Sequence, residues 1–193
     1  MSRTNYIFVD FENVQEMDWE RISNKPVKVV LVLGEQQSKL PVAFVKKLVR
    51  YASQVQLVET GRAGKNALDM VLAHYVGAIR FKDPEGYFHI VSKDKGFDAL
   101  IGHLNDNGAL ARRHASFSEL PVLMNSEERV SLVSRQLKEN TSGRPKRRKA
   151  LESRIEAVFG RVLSPAEVQD TVQGLVREKT VLLSDTDEVI YAP

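Results

Sequence analysis

The sequence predicts an α/β fold: a mainly parallel sheet of about five strands covered on both faces by helices, followed by a small C-terminal module. Three observations carry this. Short, β-prone apolar runs alternate with segments of helical periodicity over the first two-thirds of the chain. The first two runs are apolar without alternation, as strands buried on both faces are. The alternation then stops near residue 115, where a different organisation begins.

Tyr6 to Val9 opens as a strand and breaks abruptly at Asp10-Phe-Glu-Asn13. Val14 to Ile22 has the polar content of a short surface helix, and Val27 to Leu33 is a second strand ending at Gly34. Pro41 to Tyr51 places Val42, Val45, Leu48 and Val49 at helical spacing, which predicts a helix packed on the sheet. Val55 to Glu59 is a third strand. A turn over Thr60 to Gly64 leads into a helix from Asn66 to Ile79, with Leu68, Val71, Leu72 and Tyr75 on its apolar side. Phe88 to Ser92 is a fourth strand, Phe97 to Asn107 a helix stopped by Gly108, and Ala109 to Arg113 a fifth strand.

Composition narrows the chemistry. Of 193 residues 42% are apolar and 27% charged, the balance of a soluble globular chain. Cysteine is absent, which excludes disulfides, thiolate nucleophiles and cysteine-ligated zinc. No apolar run approaches the roughly 18 residues of a membrane span, and no signal-peptide core stands at the N-terminus, so the expected location is cytoplasmic. The net charge of +3 is unevenly spread: residues 143–149 hold five basic and no acidic side chains, a run that would attract a polyanion or serve as a solvated linker. A nucleotide-binding loop is excluded, because the stretch from Glu59 to Asn66 has Glu59 where the phosphate-loop spacing needs glycine and Asn66 where it needs Ser or Thr. No Gly-x-Gly-x-x-Gly follows the first strand, so dinucleotide binding has no support.

In an open α/β sheet, ligands bind outside the carboxyl ends of the strands. Asp10 follows the first strand, Asp94 follows the fourth, Asp98 lies four residues further, and Asp69 lies near the start of the helix from Asn66. Carboxylates converging there repel one another unless a cation compensates. Mg²⁺ or Mn²⁺ suits oxygen ligands and would lower the pKa of a bound water for attack on a phosphodiester. Glu12 points away from Asp10 if strand geometry persists. Arg62, Lys65, Lys93, Lys95, Arg112 and Arg113 fall near the same edge and could hold a phosphate backbone, and His114 stands beside them.

Phe8-Val-Asp10-Phe-Glu-Asn13, Lys65-Asn-Ala-Leu-Asp69 and Ile90-Val-Ser92-Lys-Asp94-Lys-Gly-Phe97-Asp98, in this order, resemble the NYN branch of the PIN-like nucleases over roughly residues 4–115. The resemblance implies a PIN-like α/β/α sandwich and a metal-dependent endoribonuclease. It implies Asp10, Asp69 and Asp94 as metal-binding acids, with Asn13 and Ser92 orienting ligands or substrate. Many family members carry Asp where Gly96 stands; Asp98 is the nearest replacement. RNA is the implied substrate, with DNA not excluded. The alternative is a PIN-like RNA-binding or adaptor protein without catalysis.

Beyond residue 115, Leu120 to Asn140 reads as a helix whose apolar positions cover the sheet. This gives a nuclease domain at 1–140, a basic linker at 141–150 and a small module at 151–193. In that module Leu151 to Phe159 is a helix, and Ser164-Pro-Ala-Glu167 carries the signature of a capped helix start. That second helix runs to Lys179, and Val181 to Tyr191 is a hairpin turning at Asp185 to Asp187. Two helices and a hairpin suggest a winged-helix-like module, suited to nucleic acid, to a protein partner or to homodimerisation.

Overall fold

The computed structural model describes residues 3–37, 39–62 and 64–191. Its compact units are Met1–Leu123 and Met124–Pro193.

The first unit is built on five parallel strands in the order β3-β2-β1-β4-β5: β1 is Asn5–Asp10, β2 Val27–Leu33, β3 Val55–Glu59, β4 Tyr87–Val91 and β5 Leu110–His114. β1 therefore lies at the centre, paired with β2 on one side and β4 on the other, with Phe8 opposite both Val30 and Ile90. Side chains alternate across a strand, so Phe8, Val30, Val32, Phe88 and Ile90 share one face. There they pack with Leu68, Leu72 and Val76 of α2 (Ala67–Lys82) and with Phe97 and Leu104 of α3 (Phe97–Asp106). Ile7, Val9, Val29, Leu31 and Val91 are equally buried on the other face. Burial on both sides is why β1 and β2 carry no polar alternation.

Two expected elements differ. The helix expected over Val14 to Ile22 is only a 3₁₀ turn at Trp19–Ile22, and Val14, Trp19 and Ile22 are buried anchors of the loop after β1. α1 (Val42–Arg50) forms where the periodicity put it, but it buries none of its residues. Phe44 supplies the aromatic contacts, with its ring centroid 5.1 Å from Phe11 and 5.8 Å from Trp19, while Val42, Val45 and Val49 face solvent. Ala63, within the turn expected at 60–64, lies outside the described residues.

The second unit has its own core. α4 (Ser126–Glu139), α5 (Arg148–Val158), α6 (Pro165–Arg177) and the antiparallel pair β6 (Val181–Leu183) and β7 (Val189–Tyr191) enclose Leu151, Ile155, Phe159, Val172, Leu175 and Val181. Val130, Val133 and Leu137 of α4 belong to this cluster, so α4 packs with α5 and α6, and the units divide before it. Arg129 on α4 reaches Glu167 and Asp170 on α6, both at 3.3 Å. The basic segment is built into the same unit and is not a free linker. The backbone of Arg147 pairs antiparallel with that of Glu188 beside the hairpin, Arg148 begins α5, and Arg144 lies over the Tyr191 ring. Ser164 and Glu167 form the expected capping box of α6, and Asn125 with Glu128 forms another at α4. Among the described residues no helix is long and apolar enough to cross a membrane.

Candidate active site

Asp10 is the last residue of the central strand and shares the face of Phe8, so its carboxylate emerges beneath the start of α2. It is 1% exposed. A carboxylate so buried needs donors, and two neighbours supply them. The Asn13 amide donates to Asp10 Oδ2 at 2.6 Å and its backbone N–H to Oδ1 at 3.3 Å; the Ser92 hydroxyl donates to Oδ2 at 2.7 Å. Ser92, just past β4, also accepts the backbone N–H of Asp94 at 3.0 Å. One hydroxyl thus ties the acid of β1 to the acid that follows β4. The Gly96 N–H in turn donates to Asp94 Oδ1 at 2.7 Å, which orients that carboxylate from the α3 side.

Asp69 is in the first turn of α2 and completes the cluster. Burial raises its pKa above the ordinary carboxylate value, and the negative charges of Asp10, Asp94 and Glu12 raise it further. Asp10, Asp69, Asp94, Glu12 and Asn13 line one cleft of about 290 Å³, with Thr60, Arg62 and Asn66 at its walls. Among the described residues no lysine or arginine forms an ion pair with these four acids.

Glu12 corrects the sequence reading, which aimed it away. The strand ends at Asp10 and the chain turns, with the N–H groups of Asn13 and Val14 both bonded to the Asp10 carbonyl, so strand alternation no longer applies. Gly34, after β2, makes the room: a Cβ there would overlap the Glu12 carboxylate. A glycine closing a strand beside an acidic loop was the only signal in the sequence.

Asp98 does not join the cleft. Arg113 on β5 grips both its oxygens, at 2.6 and 3.3 Å, which holds its pKa below the ordinary value. The same guanidinium donates to the Ser92 carbonyl at 3.1 Å. Arg113 therefore fastens the first turn of α3 to the loop that carries Ser92, and is committed to protein contacts. Arg112 points to the opposite sheet face, towards His89 and His114. His114 is buried, with Nε2 at 3.1 Å from His89 Nδ1, and His89 Nε2 is 2.9 Å from Asn5 Oδ1, so neither imidazole lines the acidic cleft. Lys65, Lys93 and Lys95 are exposed on the loops before α2 and α3.

A family model described as PIN domain matches residues 4–114, more than half of the chain and all five parallel strands. The chain belongs to the PIN-domain family, whose fold is that of nucleases. Among curated proteins none matches the sequence.

The donors of the cleft are hard oxygens, the type that Mg²⁺ and Mn²⁺ select, and three of the acids raise the proton affinity of the fourth. Among the described residues no three such side chains stand close enough to ligate one ion as they are. The chemistry of the donor set fits a divalent cation; its geometry requires the side chains to close inward.

Proposed function

We propose that the protein is a divalent-metal-dependent endoribonuclease of the NYN branch, with Asp10, Asp69 and Asp94 as the metal-holding acids. The observation that carries this reading is the convergence of Asp10, Glu12, Asp69 and Asp94 on one cleft where no described basic side chain pairs with them; burial and these neighbouring charges raise the pKa of Asp69 accordingly. Such a cluster costs stability by itself and favours a cation. A bound Mg²⁺ or Mn²⁺ would supply charge neutralisation at the phosphate and a water of lowered pKa. The chain's own groups do the rest. Asn13 and Ser92 hold the Asp10 carboxylate in one orientation, and Gly96 holds that of Asp94. Glu12 takes the fourth acidic place that the sequence assigned to Asp98. Arg62 at the cleft wall, with Lys65, Lys93 and Lys95 around it, supplies positive charge for the phosphate backbone.

The test is incubation of purified protein with labelled RNA and Mn²⁺ or Mg²⁺, with a chelator control. Cleavage that is lost with chelator and falls at least a hundredfold in Asp10→Asn and Asp94→Asn supports the reading, whereas cleavage indifferent to both overturns it. A readout besides activity is the melting temperature, which Mn²⁺ should raise in the wild type and not in Asp10→Asn. The second reading, an RNA-binding protein without turnover, is favoured by the capture of Asp98 by Arg113. Tight RNA binding with no cleavage under any divalent cation would establish it.

A further inference from the structure

A second concavity of the first unit, an open groove of about 980 Å³, runs alongside the acidic cleft and shares Glu12 and Asn13 with it. A strand leaving the cleft over these two residues enters the groove. One wall is Phe44, half-buried and seated on Phe11 and Trp19, so its ring is held rigid. Lys47, three residues along the same helix, and Lys93, after β4, line the groove too. Both are exposed, and no described acidic side chain pairs with either. Of the groove's own acids, Asp18 is paired with Arg21 at 3.1 Å and Glu12 lays its carboxylate against Gly34 of the acidic cleft, which leaves Glu16 facing the two lysines. A rigid aromatic flanked by free cations is the composition that holds unpaired bases and their phosphates; a base within a duplex cannot present its face to such a ring.

We propose that this groove binds an unpaired nucleotide of the RNA next to the phosphate in the acidic cleft, with its base against Phe44 and its backbone at Lys47 and Lys93. The proposal rests on the nuclease reading of the cleft and adds which of this chain's residues seat the nucleotide beside the cut.

The experiment measures fluorescence anisotropy of a labelled 12-nucleotide single-stranded RNA, and of the same sequence as a duplex, in EDTA so that nothing is cut. The wild type should prefer the single strand. Phe44→Ala should weaken its binding about tenfold and Phe44→Tyr should retain it. Lys47→Glu, at an exposed position that leaves folding alone, should weaken it and lower the salt slope by about one. Val49→Ser, on the far side of α1, should change nothing. Equal affinity for duplex and single strand, or wild-type binding by both Phe44→Ala and Lys47→Glu, overturns the proposal. The two readings fail separately. Binding in this pattern without divalent-dependent cleavage removes the nuclease and keeps the groove. Cleavage with unaltered KM in both variants removes the groove and keeps the nuclease.

Discussion

Two titrating groups carry the opposed electrostatics of the first unit. Asp69 has a raised pKa, so the folded chain holds its proton more tightly than the unfolded chain does. Its ionisation therefore opposes folding: the penalty is absent below the ordinary carboxylate value and complete once pH exceeds the raised one. Asp69→Asn should raise the melting temperature at pH 7 in chelator, with the gain vanishing as pH drops through the carboxylate range. A lowered melting temperature at pH 7 would show that repulsion is not the dominant effect there. His114 runs the other way. Burial, aided by Arg112, pushes it down from 6.5 to about 4, so the folded chain resists protonation that the unfolded chain accepts. Its contribution to stability is complete above pH 6.5 and is lost as pH falls from there towards 4, by up to about 1.4 kcal/mol per pH unit. Urea midpoints taken between pH 7 and 5 should fall accordingly, and His114→Gln should flatten that slope. Asp10, Asp69 and Asp94 were legible as candidates because each sits beside a strand end or a helix start. The roles of Glu12 and Arg113 were not, since a loop turn redirects one and a partner fifteen residues away captures the other.

Among the elements, the strands declared themselves and the helices only in part. A run such as Val27 to Leu33 can be nothing but buried, whereas an apolar stripe on a helix says that some surface is covered without saying which. α1 shows the difference: its valines have helical spacing, yet Val42 and Val49 are 72% and 71% exposed, and Phe44 makes the aromatic contacts. Val49→Ser should leave the unfolding free energy from urea titration within about 0.5 kcal/mol of wild type, the range of an ordinary surface change. A loss of 2 kcal/mol or more would mean the helix is packed as its periodicity suggests. α4 has the same ambiguity with the opposite outcome. Its apolar face was expected on the sheet, and Val130, Val133 and Leu137 instead complete the core that holds Leu151 and Val172.

For the whole molecule, each compact unit holds a hydrophobic cluster of its own among the described residues, and so a source of stability of its own. The single tryptophan, Trp19, reports on the first unit alone, while far-UV circular dichroism sees both. Phe159→Ala removes a fully buried ring from the second core and should cost that unit about 3–5 kcal/mol. The dichroism transition should then shift to lower urea while the Trp19 fluorescence transition stays in place. Coincident shifts would show that the units unfold as one. The sequence by itself determined the parallel sheet, the succession of its strands and the placing of Asp10, Asp69 and Asp94 at one edge of it, because burial on both faces and abrupt strand ends leave local marks in residue type. Only the tertiary structure decided that Glu12 enters the cleft, that Asp98 is held by Arg113, and that α4 joins the second unit. Those outcomes depend on which groups meet across long stretches of chain, and neither charge nor periodicity records its partner.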